Sequence, residues 1–443
     1  MAVTARATAT RTRPQSAVLL AVGSPRRDWE NSLEELADLA RSAGAAIVGS
    51  IVQMRDKPDP ALFLGRGKAE EARDLITREQ AEIAIADADL TPVQQRNLER
   101  IVRVPTIDRT GLILDIFAQR ARSSEGKLQV QFAQLMYTLP RLAGRGIFLS
   151  RLAGGIGTRG PGETKLEVDR RRIRRRLQVL KDEMKQIAKH RSVQRSARKE
   201  SRIPLASLVG YTNAGKSTLI NALCGSDVFV SDALFATLDP TVRRLALPAG
   251  ANILISDTVG FIRDLPAQLM TAFRATLEEV AEADILIHVL DASRPDVIEC
   301  AEAVTRVLAD LGAADKPMLT ALNKADLVSD RALLRQLERR FKPALAVSAL
   351  KGAGLDRLAR AVERLVQKQF KRVSLYLPIE RHDLVLLARR RGQVLSVDYD
   401  QPVPQALDEP ATKHALRMRL TANVPPDVAA QLRQAARNPR RPG

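Results

Sequence analysis

Aromatic residues, cysteine and histidine are all scarce in this sequence. Phe, Trp and Tyr make up 3% of the 443 residues, and there are only 2 Cys and 4 His. So few rings argue against a nucleic-acid site built mainly on stacking, and backbone and phosphate contacts are expected instead. Cys224 and Cys300 stand apart from each other and from the histidines, which excludes a disulfide framework or a zinc motif and predicts two reduced thiols.

Long apolar runs are also missing. No run reaches the ~18 apolar residues that a membrane span needs, and the segment before Val18 is too polar for a signal-peptide core. A cytoplasmic protein is therefore expected, with part of it at the periphery of ribosomes or membranes. Residues 1–27 carry five Arg and no acid, a pattern shared by organelle transit peptides and basic tails. The commoner explanation is a disordered basic tail over residues 1–16.

Acidic residues are too few to balance the basic ones. The chain has 70 Lys and Arg against 51 Asp and Glu, a net charge of +19. Such an excess attracts polyanions and releases their counterions, and RNA is the obvious partner. The length corresponds to about three domains, each with enough apolar residues for a core.

Alternating strand-like and helix-like runs predict two α/β segments. Residues 17–124 are expected to form an N-terminal α/β domain, and the apolar strands of residues 201–370 predict a doubly wound, mostly parallel sheet. Residues 371–443 follow the order strand, helix, strand, strand, helix, which predicts a small α+β domain. Gly65-Arg-Gly-Lys68 lacks the full phosphate-loop spacing, so a second nucleotide site there is a weak alternative.

Residues 125–200 have a different pattern, which predicts an antiparallel helical hairpin. Leu128, Phe132, Leu135, Leu139 and Leu142 form one narrow apolar stripe, and a second stripe follows a Gly-rich loop at residues 144–162. Residues 165–199 contain fourteen Lys or Arg and four Asp or Glu, over half of the excess charge of the chain. A solvated helix face and a disordered connector are the simpler interpretations, whereas the arginines in the loop favour insertion into RNA.

Residues 210–217 match the phosphate-loop pattern G-x-x-x-x-G-K-[ST] between an apolar strand and a helix. In this pattern backbone N–H groups surround the β-phosphate, Lys216 neutralises the β and γ oxygens, and the Ser217 hydroxyl ligates Mg²⁺. The predicted nucleotide contacts of the loop are Gly210, Tyr211, Thr212, Asn213, Ala214, Gly215, Lys216 and Ser217.

Two further segments complete the predicted phosphate and magnesium site. Asp257, at the end of a strand, is predicted to hold Mg²⁺ through water, and the N–H of Gly260 to sense the γ-phosphate. Thr237 is the predicted second Mg²⁺ ligand, with Thr241 as the competing candidate. Lys216, Thr237 and Gly260 are the predicted catalytic residues. The nucleotide contacts expected here are Phe235, Ala236, Thr237, Leu238, Asp239, Asp257, Thr258, Val259 and Gly260.

The segment Asn323-Lys324-Ala325-Asp326 ends another apolar strand and predicts guanine as the base. The Asp326 carboxylate only accepts hydrogen bonds, so it can pair with two N–H donors of guanine that adenine does not present. Because unpaired polar groups are costly, this contact discriminates between the bases. Backbone N–H groups of Ser348, Ala349 and Leu350 are expected to close the pocket near the guanine carbonyl oxygen.

These loops resemble those of translation-factor-related GTPases, and other segments resemble one branch, the HflX family. The resemblance extends from about Val18 to Leu365 and is carried outside the loops by residues 96–98, 108–120, 154–164 and 169–171. It implies a monomer that hydrolyses GTP to GDP and phosphate, binds the large ribosomal subunit and its RNA, and splits stalled or stressed ribosomes. A ribosome-assembly GTPase, and an RNA-binding or unwinding module regulated by its GTPase domain, are the alternatives.

One position departs from the commoner GTPase pattern. Phe261 follows Gly260, where many relatives place a Gln that orients the attacking water. Because Phe cannot do this, slow intrinsic turnover is expected, with the missing group supplied by a rearranged switch, a monovalent cation or the ribosome. Asn213 resembles the residue that binds potassium in related GTPases, so stimulation by K⁺ is a hypothesis; equal rates in Na⁺ and K⁺ would remove it.

Overall fold

A computed structural model gives the fold of the chain. It describes residues 14–24, 28–150, 165–201, 203–225, 234–235, 241–248, 250, 252–263, 279–368, 370–399 and 417–437. Residues 1–13 of the predicted tail and residues 151–164 of the predicted Gly-rich loop lie outside this set. The chain divides into two compact units, the first formed mainly by residues before His190 and the second mainly by those after it.

The first unit is built on a four-stranded parallel sheet with the order β2-β1-β3-β4. Its strands are β1 (Gln15–Gly23), β2 (Ala45–Met54), β3 (Ile83–Ala86) and β4 (Thr106–Asp108). Its first helices are α1 (Trp29–Ser42), α2 (Arg66–Arg78), α3 (Pro92–Val102) and α4 (Arg109–Arg120). Residues 17–21 of β1 are all buried, as a strand covered on both faces requires.

A buried ion-pair cluster joins three elements of this unit. Arg109, the first residue of α4, has Nη2 at 2.7 Å from Oε1 of Glu35 in α1 and Nη1 at 2.8 Å from Oδ1 of Asp87 after β3. All three side chains are less than a tenth exposed. Removing the cation would leave two carboxylates facing each other away from water, which is far costlier than losing a surface pair.

Two long helices follow, α5 (Ser124–Ser150) and α6 (Lys165–Ser201). In α5 the fully buried side chains include Val130 and Ala133, whereas Leu128 and Phe132 of the predicted stripe are only half-buried. The difference arises because α5 also packs on α3 and α4. Of the second predicted stripe, in α6, Leu177 and Leu180 are buried, and Ile173, Met184 and Ile187 are half-buried.

The N-cap of α4 connects α5 to the sheet. Asp108, which is fully buried, accepts hydrogen bonds from the Gly111 N–H at 2.8 Å, the Tyr137 hydroxyl at 2.8 Å and Arg141 at 2.7 Å. Burial raises the pKa of the Asp108 carboxyl, and these donors oppose the rise. One carboxylate thus fixes the start of α4 and the position of α5.

The second unit contains a six-stranded sheet with the order β10-β9-β8-β5-β7-β6, parallel except for β6. The strands are β5 (Leu205–Gly210), β6 (Val242–Ala246), β7 (Asn252–Ser256), β8 (Ile285–Asp291), β9 (Met318–Asn323) and β10 (Ala344–Ala346). Its described helices include α7 (Lys216–Cys224), α8 (Val297–Asp310), α9 (Arg331–Arg340) and α10 (Leu355–Lys368). The predicted mostly parallel sheet is confirmed.

A separate antiparallel sheet with the order β11-β13-β12 ends the chain. Its elements are β11 (Lys371–Pro378), α11 (His382–Arg391), β12 (Gln393–Tyr399), β13 (Arg417–Val424) and α12 (Pro426–Arg437). The predicted order strand, helix, strand, strand, helix is confirmed. None of the described helices is long and apolar enough to cross a bilayer.

We predict that Arg109→Met lowers the free energy of unfolding of the first unit by about 3–5 kcal/mol, because Glu35 and Asp87 lose their buried counter-ion. The only Trp of the chain, Trp29, lies in α1, so tryptophan fluorescence during urea denaturation follows this unit. Arg73→Gln removes an exposed pair with Asp74 and should cost less than about 1 kcal/mol.

Adding Glu35→Gln and Asp87→Asn to Arg109→Met should recover part of the loss, because the charges left unpaired are then gone. Similar losses in Arg109→Met and Arg73→Gln would contradict the structural role of this cluster.

Candidate nucleotide-binding site

The phosphate loop lies between the end of β5 and the start of α7. Asn213 has a φ of 59° and Gly215 a φ of 87°, so the backbone turns through left-handed conformations just before Lys216. A Cβ on Gly215 would collide with the side-chain amide of Asn323. Glycine is therefore required there, and the turn directs the N–H groups at the start of α7 toward one point.

Lys216 occupies the centre of this loop. It is only 6% exposed, and its Nζ donates to the carbonyl oxygens of Gly210 at 3.1 Å and Tyr211 at 2.8 Å. Burial lowers the pKa of its ammonium to about 8, and the nearby charge of Asp257 opposes the shift. A buried ammonium held mainly by neutral carbonyls is suited to binding an anion such as a phosphate.

The predicted magnesium ligands Ser217 and Asp257 lie side by side. The Ser217 hydroxyl donates to Oδ2 of Asp257 at 2.7 Å, and Oδ1 of the same carboxylate accepts the Thr258 N–H at 3.0 Å. Asp257 is 2% exposed. A hydroxyl and a carboxylate beside a phosphate site are oxygen ligands of the type that Mg²⁺ prefers, so these residues fit the ion.

The segment after Asp257 is attached to the phosphate loop through the backbone. The Phe261 N–H donates to the Gly210 oxygen at 3.1 Å, and the Thr212 N–H donates to the Phe261 oxygen at 2.8 Å. A Cβ on Gly260 would lie 2.8 Å from Cα of Thr212 and 3.1 Å from Nζ of Lys216, so only glycine fits. The Phe261 side chain is buried, at 1% exposure.

The residues predicted to read the base lie together at the ends of β9 and β10. The Asn323 Nδ2 donates to the Ala214 oxygen at 2.8 Å, and its Oδ1 accepts the Ala349 N–H at 2.9 Å. A hydrogen bond from Ser348, helped by the charge of Lys351, lowers the pKa of Asp326. Asp326 is therefore held ionised, as an acceptor for N–H donors must be. Ala325 donates to the Val347 oxygen at 3.1 Å, and Leu350 is 82% exposed.

Two residues of this region, Asp291 and Arg294, were not predicted from the sequence. Lys324 Nζ lies 2.7 Å from Oδ2 of Asp291, the last residue of β8. The Arg294 guanidinium lies 5.7 Å from the ring centre of Tyr211 in the phosphate loop. Asp291 could have been predicted from its position, since it ends an apolar parallel strand next to the strands that end at Gly210 and Asn323.

The predicted residues between Phe235 and Thr241 divide into three groups. The Phe235 ring is buried in the first unit at 4.6 Å from the ring centre of Phe117, and the neighbouring Leu234 N–H donates to Ser42 Oγ at 3.1 Å. The candidate Thr241 has an exposed side chain, and its backbone oxygen accepts the Asp257 N–H at 3.0 Å. Predicted residues outside the described part of the chain are Ala236, Thr237, Leu238 and Asp239.

A mostly parallel sheet with these loops at the carboxyl ends of its strands defines the class of phosphate-loop GTPases. GTPase HflX of Caldanaerobacter subterraneus subsp. tengcongensis is 48% identical over 87% of this chain and 89% of that protein. GTPase HflX of Escherichia coli (strain K12) is 43% identical over 80% of this chain and 83% of that protein. The chain belongs to the HflX family of GTPases.

Three family models match successive parts of the chain. They are described as GTP-binding GTPase N-terminal, at residues 30–118, GTP-binding GTPase Middle Region, at residues 120–198, and 50S ribosome-binding GTPase, at residues 206–324. A solved GTP-binding protein of Sulfolobus solfataricus in complex with GDP is 25% identical, with a TM-score of 0.43, over 80% of this chain and 99% of that chain.

We predict that Lys216 titrates near pH 8 in nucleotide-free protein and that GDP raises the pKa of its ammonium, because phosphate charge favours the charged form. Nucleotide binding above pH 8 then takes up a proton, so affinity falls as the pH rises through this range. NMR of isotopically labelled lysine side chains measures both values, and Lys216→Met assigns the signal. If no lysine of the nucleotide-free protein titrates below about pH 9.5, the prediction is wrong.

We also predict that Asp326→Asn weakens GTP binding by about 3 kcal/mol, roughly two orders of magnitude, because two charge-assisted hydrogen bonds to guanine are lost. The new amide can donate, so xanthosine triphosphate should bind the variant better than GTP. Calorimetry with GTP, xanthosine triphosphate and ATP compares them, and Asp356→Asn, an exposed acid in α10, is the control. An unchanged base preference would refute the role given to Asp326.

Proposed function

We propose that this chain uses GTP binding and hydrolysis to bind the large ribosomal subunit and to split stalled or stressed ribosomes. The observation that carries the proposal is the joining of a GTPase domain to the basic helix α6. In α6, Arg171, Arg172, Arg174 and Arg175 are exposed. The description of the matched family model, 50S ribosome-binding GTPase, points to the same partner.

The proposed hydrolysis depends on residues already near one another. Lys216 would neutralise the phosphates, Ser217 and Asp257 would hold Mg²⁺, and the Gly260 N–H would respond to the γ-phosphate. When bound, Mg²⁺ neutralises charge that develops on the phosphate oxygens. Because Phe261 is buried and cannot orient water, turnover without a partner is slow, and the ribosome or K⁺ near the exposed Asn213 supplies the missing group.

The charge on α6 favours an RNA-binding role for this helix over a face that contacts only solvent. Leu177 and Leu180 bury one narrow stripe of the helix, so the arginines on its other sides are exposed to solvent. Arg176 donates to Gln131 of α5 at 3.0 Å and helps to hold the two helices together. The contacts to ribosomal RNA are therefore assigned to the four exposed arginines named above, which neutralise phosphates and release counterions.

Nucleotide state couples to ribosome binding through differential affinity. The conformation that GTP stabilises binds the large subunit more tightly, and hydrolysis permits release. The rival functions share the chemistry and differ in the particle that is bound. An assembly GTPase would bind immature subunits only, and an RNA-binding or unwinding module would act on RNA without separating ribosomes.

We predict that the protein with GTP converts purified intact ribosomes into subunits, as measured by sucrose-gradient sedimentation, and that GDP does not support this. A non-hydrolysable analogue should support splitting while leaving the protein on the large subunit. Changing Arg171, Arg172, Arg174 and Arg175 to Gln should abolish splitting and lower the slope of log affinity against log salt by about 3, because about four phosphate contacts are lost.

The matched control changes four exposed arginines on another helix, Arg331, Arg335, Arg339 and Arg340 of α9, to Gln. It should retain splitting, and both variants should retain GDP affinity. Intact ribosomes that persist with GTP, together with binding to immature subunits alone, would establish the assembly function instead. If the two variants lost splitting equally, the arginines of α6 would contribute only through the net charge of the chain.

A further inference from the structure

We propose that the C-terminal sheet binds single-stranded RNA on the face opposite its two helices. This face is formed on β11 by Arg372, Ser374 and Tyr376 and on β13 by Arg417, Arg419 and Thr421; we call it the open sheet face. Binding of a short RNA strand here does not depend on ribosome splitting, so the two proposals can fail separately.

The strand pattern separates the two faces of the sheet. Val373 and Leu377 of β11 and Leu420 of β13 point into the core formed with α11 and α12 and are nearly inaccessible to solvent. Alternate residues point the other way. On that side Arg372, Ser374, Arg417 and Arg419 are exposed although they lie within regular strands. The pattern therefore leaves a polar, cationic surface there and not a second apolar core.

The register brings the chemistry of the two strands together. Tyr376 pairs with Arg419, and Ser374 pairs with Thr421, whose hydroxyl lies 3.2 Å from the Ser374 hydroxyl. The Arg419 Nε donates to Ser374 Oγ at 3.3 Å, which places the guanidinium beside the serine and across from the ring of Tyr376. A ring, a cation and small hydroxyls thus share one patch on the edge strand β11 and the central strand β13.

The charges of the patch favour a polyanion. Within the described residues, Arg372, Arg417 and Arg419 form no ion pair with an acidic side chain. The acid on the neighbouring strand is Asp398 of β12, opposite Arg419. Three arginines against one aspartate leave the surface positive, in a chain whose net charge is +19.

RNA fits this surface better than an acidic peptide does. An open antiparallel sheet that carries an aromatic ring is a known mode of single-strand recognition, in which bases stack and arginine binds phosphates. Here the ring lies on the edge strand β11, next to the central strand β13. The exposed hydroxyl of Ser374 suits the edges of bases and the 2′-hydroxyl, groups that an acidic peptide lacks, and the buried Thr421 beside it helps to position it. Tyr376 offers the stacking surface, and since it is the only ring that the described strands place on this face, arginine and hydroxyl contacts must supply the rest.

The test uses the full chain carrying the four Arg→Gln changes of α6, so that the basic helix does not mask the sheet. Fluorescence anisotropy with an unstructured 12-nucleotide RNA should show that Tyr376→Leu weakens binding about tenfold, whereas Tyr376→Phe keeps the ring and the affinity. Arg417→Gln with Arg419→Gln should weaken binding and lower the salt slope by about 1.4.

Arg389→Gln with Arg390→Gln is the matched control, since these exposed arginines lie on α11 at the opposite side of the same domain. It removes the same charge and should change affinity less than about twofold. Equal losses in the two double variants, an unchanged affinity in Tyr376→Leu, or tighter binding of polyglutamate than of RNA would each overturn the proposal. Unchanged GDP affinity and circular dichroism show that the variants are folded.

Discussion

The nucleotide site depends on one buried positive charge, the ammonium of Lys216. It is surrounded by carbonyl oxygens and by Asp257, with almost no access for water, so its pKa falls to about 8. The neighbouring His288 of β8 is also buried, and burial together with Lys216 lowers its pKa to about 4. A second cation is therefore avoided at neutral pH. The net effect is a site in which an anion gains more than it would at an exposed lysine.

The geometry of parallel strands explains why residues so distant in sequence meet around that charge. β5, β7, β8 and β9 all end at the same edge of the sheet, where β5 leads into the phosphate loop and the other three lead to Asp257, Asp291 and Asn323. Asn323 shows how closely the loops are coupled, since one side-chain amide binds the Ala214 oxygen of the phosphate loop and the Ala349 N–H of the base pocket. The base pocket and the phosphate loop are thus joined by one buried amide with both of its hydrogen-bonding ends in use.

Sequence reasoning succeeded where a local rule determines the outcome. The apolar strands of the second unit and the order of the C-terminal elements follow from periodicity and were predicted within a few residues. It missed β6, whose residues Arg243 and Arg244 do not read as a buried strand, because an antiparallel edge strand needs only one covered face. It also missed the pairing of Arg109 with Glu35 and Asp87, because contacts between distant positions leave no local pattern. The burial of Phe235 against Phe117 is a third such contact.

The backbone hydrogen bonds of Phe261 set a minimum for the free energy that GTP must supply to move the segment around Gly260. Gly260 is held against Thr212 and Lys216 by two hydrogen bonds between the neighbouring Phe261 and the phosphate loop. Moving this segment breaks both, at a net cost of about 0.5–1.5 kcal/mol each and so about 1–3 kcal/mol in total. A nucleotide changes the conformation only by as much as its affinities for the two states differ. A γ-phosphate that moves Gly260 must therefore favour the moved state by about 5- to 150-fold, a difference that a charge-assisted contact from the Gly260 N–H and the buried Lys216 is able to supply.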